Sequence, residues 1–250
     1  MISSATGATA ASGTSGTVRA ADSISLGPRR WRATLMRGGG SAWPCGAFAR
    51  GARVSAMRVL VLFAHPLETS FGAALHANAV QSLRARGHEV DDCDLNTEGF
   101  DPVMTRQDRI EYFDVSLNRR RVGPYVDRLL TAEGLVFSFP VWNMGFPAIL
   151  KGFVDKVFLP GVSFDLRDDG AYVPRLFNVK RLGVVCTYGG SRLATFLAGD
   201  PPRRFLKRSM KFNCAPGTRV DYLAHYDMDH TKLERRAAFL SKVEATFSGW

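Results

Sequence analysis

Three short loops of this sequence carry residues suited to holding a charged, flat ligand. They span residues 65–70, 140–146 and 187–191, and each follows an apolar run that is typical of a buried strand. Hydroxyl, imidazole, amide and aromatic side chains are combined there with prolines and a glycine pair. If the strands are parallel, their carboxyl ends meet along one edge of a sheet, and the three loops form one crevice.

The first loop precedes an amphipathic helix and offers an anion site. Free N–H groups and the positive end of the helix dipole attract a phosphate, and the Thr69 and Ser70 hydroxyls complete the polar set with His65. The alternative is that Thr69 or Ser70 only caps the helix. The Walker lysine and the G-x-G-x-x-G fingerprint of nucleotide-binding loops are both missing from the sequence.

The second and third loops are suited to a ring system. Trp142, Asn143 and Met144 lie between two prolines that fix the loop geometry, and their aromatic surface and backbone amides suit a flat heteroaromatic ring. In the third loop, Gly189 and Gly190 allow the backbone to approach a ligand closely, with N–H groups that can face a developing negative charge. The alternatives are packing under a loop for the second and a plain turn for the third.

An alternation of short apolar runs and helical patterns positions these loops. Strands are predicted at 58–64, 89–95, 134–139, 181–187 and 217–225, and helices at 71–86, 147–158 and 231–247. The second strand is the most polar of the five, which favours a place near an edge of the sheet. The fold class is therefore α/β, with five parallel strands between helices on both faces.

Prolines set several of the predicted boundaries. Pro140 is expected to end the third strand because proline has no N–H for the sheet, and Pro147 to begin the next helix. Residues 105–127 predict one or two helices with a broken middle. Pro201-Pro202 predicts a break ahead of a basic helix.

That basic helix is one of two arginine-rich runs. Arg203, Lys207 and Lys211 share one of its faces, and a face of this kind is usually solvated. The alternatives are steering of anionic cofactors or a place beside the 2′-phosphate of NADPH. Nucleic acid is not favoured, because no aromatic residues for base stacking interleave with the charges.

The net charge of +10 is concentrated in an N-terminal tail. Residues 1–56 contain seven arginines and one acid, which gives +6 and leaves +4 for the other 194 residues. The tail is rich in Ala, Ser, Gly and Thr without a hydrophobic period, so we expect a disordered basic extension, with an organellar transit peptide as the alternative. The folded domain is expected at 57–250.

Membrane and metal functions are not favoured. An uncharged run of seventeen residues, 134–150, contains two prolines and a turn, so we expect no membrane span. The four cysteines lack metal-ligand spacing and are expected to be reduced packing residues, and no metal site is expected. A cytoplasmic protein is the resulting expectation.

Three segments together carry a family resemblance. They are AHPLETSF at 64–71, FPVWNMGFPAILKGFVDKVFLPGVSF at 139–164 and TYGG at 187–190. They resemble the flavodoxin-like NAD(P)H:quinone oxidoreductase family, the DT-diaphorase type with its bacterial relatives. The resemblance covers roughly residues 57–247, and PAILKG at 147–152 is its most specific part.

The resemblance implies a flavodoxin-like three-layer sandwich with strand order 2-1-3-4-5 and a non-covalent flavin, FAD or FMN. The positions implied for the flavin phosphate and ribityl chain are His65, Thr69, Ser70 and Phe71. Those implied for the isoalloxazine ring are Pro140, Val141, Trp142, Asn143 and Met144. Those implied for its pyrimidine side are Thr187, Tyr188, Gly189 and Gly190.

The resemblance also implies a reaction and an assembly. NADH or NADPH gives a hydride to the flavin and leaves, and a quinone or similar electron-poor aromatic then takes two electrons. The implied assembly is a homodimer with the site at the subunit interface. The alternatives are a flavin-binding regulatory subunit of a potassium-efflux transporter, which some relatives are, and a one-electron carrier.

One departure from the family concerns catalysis. The animal enzymes follow the glycine pair with a tyrosine and a histidine that assist the proton and hydride steps, and residues 191–196 of this chain contain neither. Tyr188 or Arg192 is therefore the catalytic candidate in their place, with water as the alternative proton source.

Overall fold

The structure describes residues 55–250 and is a computed structural model. All but the last two positions of the predicted basic extension, residues 1–56, lie outside the described residues. The extension and its boundary with the domain therefore stay predictions. No helix within residues 55–250 combines the length and the apolar character needed to cross a bilayer.

Five parallel strands form the central sheet, in the order β2-β1-β3-β6-β7. They are β1 (Arg58–Phe63), β2 (Glu89–Asp94), β3 (Gly134–Val141), β6 (Arg181–Tyr188) and β7 (Arg219–His225). Two short antiparallel strands, β4 (Phe164–Leu166) and β5 (Tyr172–Pro174), pair only with each other. Because this hairpin lies outside the sheet, the five remaining strands follow the predicted 2-1-3-4-5 order, and the predicted α/β fold class is confirmed.

The central strands are buried because they are apolar at nearly every position. β1 reads RVLVLF and β3 reads GLVFSFPV, and in each strand all but one end residue is buried. The β2 strand reads EVDDCD and lies at the edge of the sheet, as its polar sequence predicts. The loops that follow β1, β3 and β6 therefore start from a rigid, buried base.

The end of β3 differs from the prediction. Pro140 does not end the strand, which continues to Val141 with Pro140 paired to Thr187 of β6. On its other side β3 loses its neighbour earlier, because β1 ends opposite Ser138. The missing N–H of Pro140 is therefore not needed for a ladder bond, which is how proline is tolerated at an edge. The expectation that Pro140 stops the strand was wrong for this reason.

Helices cover both faces of the sheet. On one face lie α1 (Phe71–Ala85) and α8 (Leu233–Phe247), and on the other lie α3 (Gly123–Thr131) and α4 (Ala148–Val157). The short α2 (Arg106–Glu111) precedes α3, and turns separate the two, as the predicted broken middle requires. Gly87, with φ at +92°, follows the end of α1. The result is the predicted three-layer sandwich.

The segment after β6 is a series of short helical pieces. They are α5 (Arg192–Leu197), α6 (Pro201–Arg204), a π-helical turn at Phe205–Met210 and α7 (Lys211–Asn213). Residues 198–200 separate α5 from the basic helix, as the predicted break requires, and Pro201 and Pro202 occupy the first turn of α6, where a missing N–H costs nothing.

The specific PAILKG segment packs closely against the chain before α2. A Cβ placed on Gly152 of α4 would lie 2.3 Å from the carbonyl oxygen of Pro102. One turn later, Lys156 Nζ donates to the carbonyl oxygens of Asp101 and Val103, at 2.9 Å each. Glycine and lysine at these positions therefore fix the helix that follows the second loop.

The cysteines within the described residues have the predicted packing role. Cys93, Cys186 and Cys214 are buried free thiols, and Cys45 lies outside the described residues. Burial raises the pKa of the Cys186 and Cys214 thiols to about 12, so both are protonated at neutral pH.

Candidate functional site

The first loop runs from β1 into the N-terminus of α1. Ser70 is the N-cap residue, and its Oγ accepts a hydrogen bond from the Ala73 N–H at 3.1 Å, whereas Thr69 is exposed. His65 Nδ1 accepts from the Leu67 N–H at 3.0 Å, which assigns the proton of the neutral ring to Nε2. Burial lowers the pKa of His65, so the ring is neutral near pH 7.

The second loop is a tight turn at residues 142–145. Backbone hydrogen bonds join Trp142 and Gly145 in both directions, at 3.2 and 2.8 Å. The two central residues, Asn143 and Met144, have φ values of +48° and +58°, as a turn of the I′ type requires. Asparagine tolerates this region, but methionine is strained in it, and strain of this kind concentrates at functional sites. Trp142 leaves the turn with 46% of its surface exposed.

The third loop follows β6 and leads into α5. Ser191 caps α5, and its Oγ accepts from the Ala194 N–H at 3.2 Å. A Cβ placed on Gly189 would lie 3.2 Å from Asp229 Oδ2, which is closer than most side chains allow. The carbonyl oxygen of Gly190 accepts from the Asp227 N–H at 3.2 Å, so the segment after β7 also borders this loop.

The structure brings the three loops together. The His65 and Trp142 rings meet edge to face with their centroids 6.1 Å apart, which joins the first loop to the second. A Cβ on Gly190 would lie 3.8 Å from Met144 Cε, which joins the second loop to the third. The expected convergence on one sheet edge is therefore confirmed. The role of each residue there stays a prediction.

Two buried polar atoms near this edge have no hydrogen-bond partner among residues 55–250. They are Thr195 Oγ1, 3.8 Å from a Cβ placed on Gly190, and Nε2 of His225, the last residue of β7. His225 also packs edge-on against Phe71, the first residue of α1, at 5.4 Å. Burial, with help from Arg235 and Arg236, lowers the pKa of His225 and keeps the ring neutral.

Sequence reasoning did not place Thr195 or His225 among the candidate residues. For His225 a signal was present, since it ends a strand of the same parallel sheet as the other three loops. For Thr195 no pattern pointed to the site, because its position depends on how α5 turns back towards Gly190.

The placement of Tyr188 argues against its predicted role as proton donor. Only 1% of its surface is exposed. Its hydroxyl lies 2.7 Å from Asp200 Oδ1 and 2.7 Å from the Tyr222 hydroxyl, and its ring stacks on Tyr226. Burial raises the pKa of the phenol further. Only the backbone of Tyr188 remains suited to a ligand at the third loop.

Arg192, the other catalytic candidate, is the exposed first residue of α5. It lines a cavity together with arginines of the α6 segment. Its predicted catalytic role stays a prediction.

Comparison with known proteins gives three findings of sequence similarity. The sequence profile of the flavodoxin-like fold family matches residues 57–238. NAD(P)H dehydrogenase (quinone) 1 of Cavia porcellus is 31% identical over 158 residues, which cover 57% of this chain and 57% of that protein. An FMN-dependent NADH:quinone oxidoreductase of Caldicellulosiruptor saccharolyticus is 33% identical over 88 residues, covering 35% of this chain and 43% of that protein. The chain spans about half the length of the curated relatives it matches.

Similarity also extends to solved structures. The NAD(P)H:quinone oxidoreductase from Methanothermobacter marburgensis superposes with a TM-score of 0.68 at 20% sequence identity. The superposition covers 78% of this chain and 97% of the other. At that identity, the likeness shows a shared fold.

Proposed function

The chain belongs to the flavodoxin-like fold family, as its sequence resemblance predicts, and we propose that it is a flavin-dependent NAD(P)H oxidoreductase. Its acceptors are quinones or similar electron-poor aromatics, reduced by two electrons. The observation that carries this proposal is the meeting of three loops at one sheet edge, where the Trp142 ring meets His65 and Met144 Cε lies 3.8 Å from the position of a Cβ on Gly190. Relatives named as NAD(P)H and quinone oxidoreductases support the same reaction class.

The residues at this edge fit a flavin. The N-terminus of α1 leaves backbone N–H groups for a phosphate, beside the Thr69 and Ser70 hydroxyls. Gly190 presents bare backbone to the crevice, with the nearest side-chain atoms, Met144 Cε and Thr195 Oγ1, 3.8 Å from its Cβ position. The unpartnered Thr195 Oγ1 and His225 Nε2 offer hydrogen bonds that a polar ligand can complete.

The proposed contacts divide into three groups along the flavin. The phosphate and ribityl chain are assigned to His65, Thr69, Ser70 and Phe71. The ring is assigned to Pro140, Val141, Trp142, Asn143 and Met144, and its pyrimidine side to Thr187, Gly189, Gly190 and the backbone of Tyr188. Both FAD and FMN satisfy this arrangement.

The chain supplies placement and charge, whereas a bound flavin supplies hydride and electron transfer. The Gly189 and Gly190 N–H groups are proposed to face negative charge on a ring carbonyl. Neutral His65 offers a hydrogen bond from Nε2. Arg192 is proposed to act by stabilising charge, and water is proposed to deliver the proton. Because one crevice serves both NAD(P)H and the acceptor in turn, we expect ping-pong kinetics.

Apolar side chains around the crevice favour a homodimer. Leu193, Phe196 and Leu197 of α5 are 68–76% exposed, and Trp142 is 46% exposed. A second copy that covers them would also exclude water from the crevice. A cytoplasmic location stays a prediction. The named relatives are oxidoreductases, which favours turnover over the transporter-subunit alternative.

Turnover tests this proposal. We expect the purified protein, saturated with FMN or FAD, to oxidise NADH or NADPH in the presence of menadione far faster than free flavin does. The rates should follow parallel lines in double-reciprocal plots, as ping-pong kinetics requires. Rates equal to those of free flavin with both donors contradict the proposal.

A further inference from the structure

A cavity of about 310 Å³ lies beside α5, the helix that follows the third loop. Its walls are Arg192 and Phe196 of α5, Gly199 and the carboxylate-bearing Asp200, Arg203, Arg204 and Arg208 of the following helical segment, and Tyr226. Four guanidinium groups around one space create a positive potential that attracts an anion.

Only one of the four arginines is neutralised by the protein. Arg203 Nε donates to Asp200 Oδ2 at 2.8 Å, its NH2 group donates to the Tyr226 hydroxyl at 2.8 Å, and it lies over the Tyr222 ring. For Arg192, Arg204 and Arg208, no carboxylate of residues 55–250 lies within 4.0 Å. These three side chains keep their full hydrogen-bonding capacity for a ligand.

The backbone around the cavity has irregular geometry. Asp200, which holds Arg203, is buried and has φ at +42°, in the left-handed region that aspartate tolerates better than most residues. The helix that carries Arg208 is π-helical over Phe205–Met210, and such turns are rare and frequent at functional sites. The π-helical turn packs Leu206 and Met210 into the core and leaves Arg208 exposed at the cavity.

The cavity borders the proposed flavin site. The Tyr226 ring stacks on Tyr188 of β6 with centroids 4.8 Å apart, and the next residue, Asp227, donates its N–H to the Gly190 carbonyl. Because the cavity and the crevice are neighbours, a substrate whose ring lies in the crevice can place a substituent among the arginines.

We propose that this arginine cavity binds an oxyanion substituent, a phosphate or a sulfonate, of a substrate whose reacting ring lies in the crevice. The inference rests on the proposed function for the identity of the substrates. Guanidinium groups bind such oxyanions through paired, charge-assisted hydrogen bonds, and Phe196 and Tyr226 add apolar walls. The substituent comes either from the 2′-phosphate of NADPH or from an anionic acceptor.

Equilibrium binding to the full-length protein as purified tests the inference without requiring turnover. Calorimetry compares NADP⁺ with NAD⁺, which differ by the 2′-phosphate, and 1,4-naphthoquinone-2-sulfonate with menadione. The R204Q/R208Q variant should weaken binding of one charged probe about tenfold or more and leave its counterpart within about twofold. The affected pair identifies the source of the oxyanion.

The matched control is K207Q/K211Q. It removes two charges from the same helical segment, at exposed positions that do not line the cavity, and should change every affinity by less than about twofold. Equal losses in both variants would mean that only the overall charge matters, and this overturns the inference. So does a wild-type protein that binds neither charged probe better than its counterpart. Binding that depends on Arg204 and Arg208 without any NAD(P)H oxidation would overturn the proposed function alone.

Discussion

Two arginine-rich regions of similar composition have opposite surroundings. In the first, around α2 and α3, Arg121 pairs with two carboxylates at 2.9 and 3.0 Å, and Arg128 with two others at 2.7 and 2.8 Å. In the second, along α5 and the α6 segment, Arg192, Arg204 and Arg208 have no carboxylate partner among residues 55–250. Arg121 and Arg128 of the first region are held by ion pairs, whereas these three arginines of the second region are open to a ligand.

Whether a basic run is paired or free depends on acids from distant parts of the chain. The partners of Arg128 are Asp91, in β2, and Glu98, in the loop that follows it. No such acids reach Arg204 or Arg208 from the described residues. Local sequence therefore does not distinguish the two runs, and only the fold separates a structural cluster from a candidate binding site.

Crowding the contact between α4 and the chain before α2 should produce the largest loss of stability. In Gly152→Ala the new methyl group would lie 2.3 Å from Pro102, so α4 must move, and we expect a loss of about 3 kcal/mol in the free energy of unfolding. Urea denaturation measures the loss. Gly123→Ala is the matched control, because no atom lies within 4 Å of its Cβ position and its stability should be unchanged or slightly higher. Equal stability of the two variants would contradict this packing.

Removing one arginine from each region tests the comparison directly. Arg128→Gln leaves two carboxylates without their partner in a half-buried site and should cost about 2 kcal/mol. Arg204→Gln breaks no ion pair within the described residues and should change the free energy of unfolding by less than about 0.5 kcal/mol. Equal losses of stability in urea for the two variants would contradict the difference between the ion-paired Arg128 and Arg204, which is unpaired within residues 55–250.

The smallest effect concerns pH. Burial lowers the pKa of His65, His88 and His225, whereas in the unfolded chain each returns to about 6.5. Below that pH the unfolded chain takes up protons that the folded chain does not, so stability falls as pH falls, and above it the three rings contribute nothing.

Thermal unfolding at about pH 7.5 and about pH 5.5 measures this loss. His225→Gln, at the crevice, and His88→Gln, which removes the acceptor of the Met57 N–H, should each show a smaller fall in Tm between the two pH values than wild type. An unchanged fall in both variants would assign the pH sensitivity to other groups.

The sequence allowed the architecture and the meeting of the loops to be predicted, because both depend on local patterns. Apolar runs placed β1, β3 and β6, and Ser70 was one of two predicted caps. Pro140 was predicted wrongly because its tolerance depends on where a neighbouring strand ends, which no local pattern records.

The finer features of the site depend on tertiary contacts and could not be predicted. Tyr188 ends an apolar strand beside two glycines, yet its side chain turns inward to Asp200, twelve residues later. Thr195 lies in α5, the first of the short helices after β6. The arginine cavity also depends on the helices that follow, where the chain turns at Asp200 with a positive φ and passes through a π-helical turn. Residue types suggested the ligand class, while contacts decided which side chains remain available.

The proposal that the three loops bind a flavin is tested by measuring flavin binding to wild type and to Gly189→Val. In a fluorescence titration of the flavin-free protein, we predict that wild type quenches FMN or FAD at one flavin per chain. Gly189→Val should bind at least about tenfold more weakly. A Cβ at this position would already lie 3.2 Å from Asp229 Oδ2, so the valine side chain must displace the third loop. Failure of wild type to bind either flavin, or equal affinity in the variant, would contradict a flavin site at these three loops.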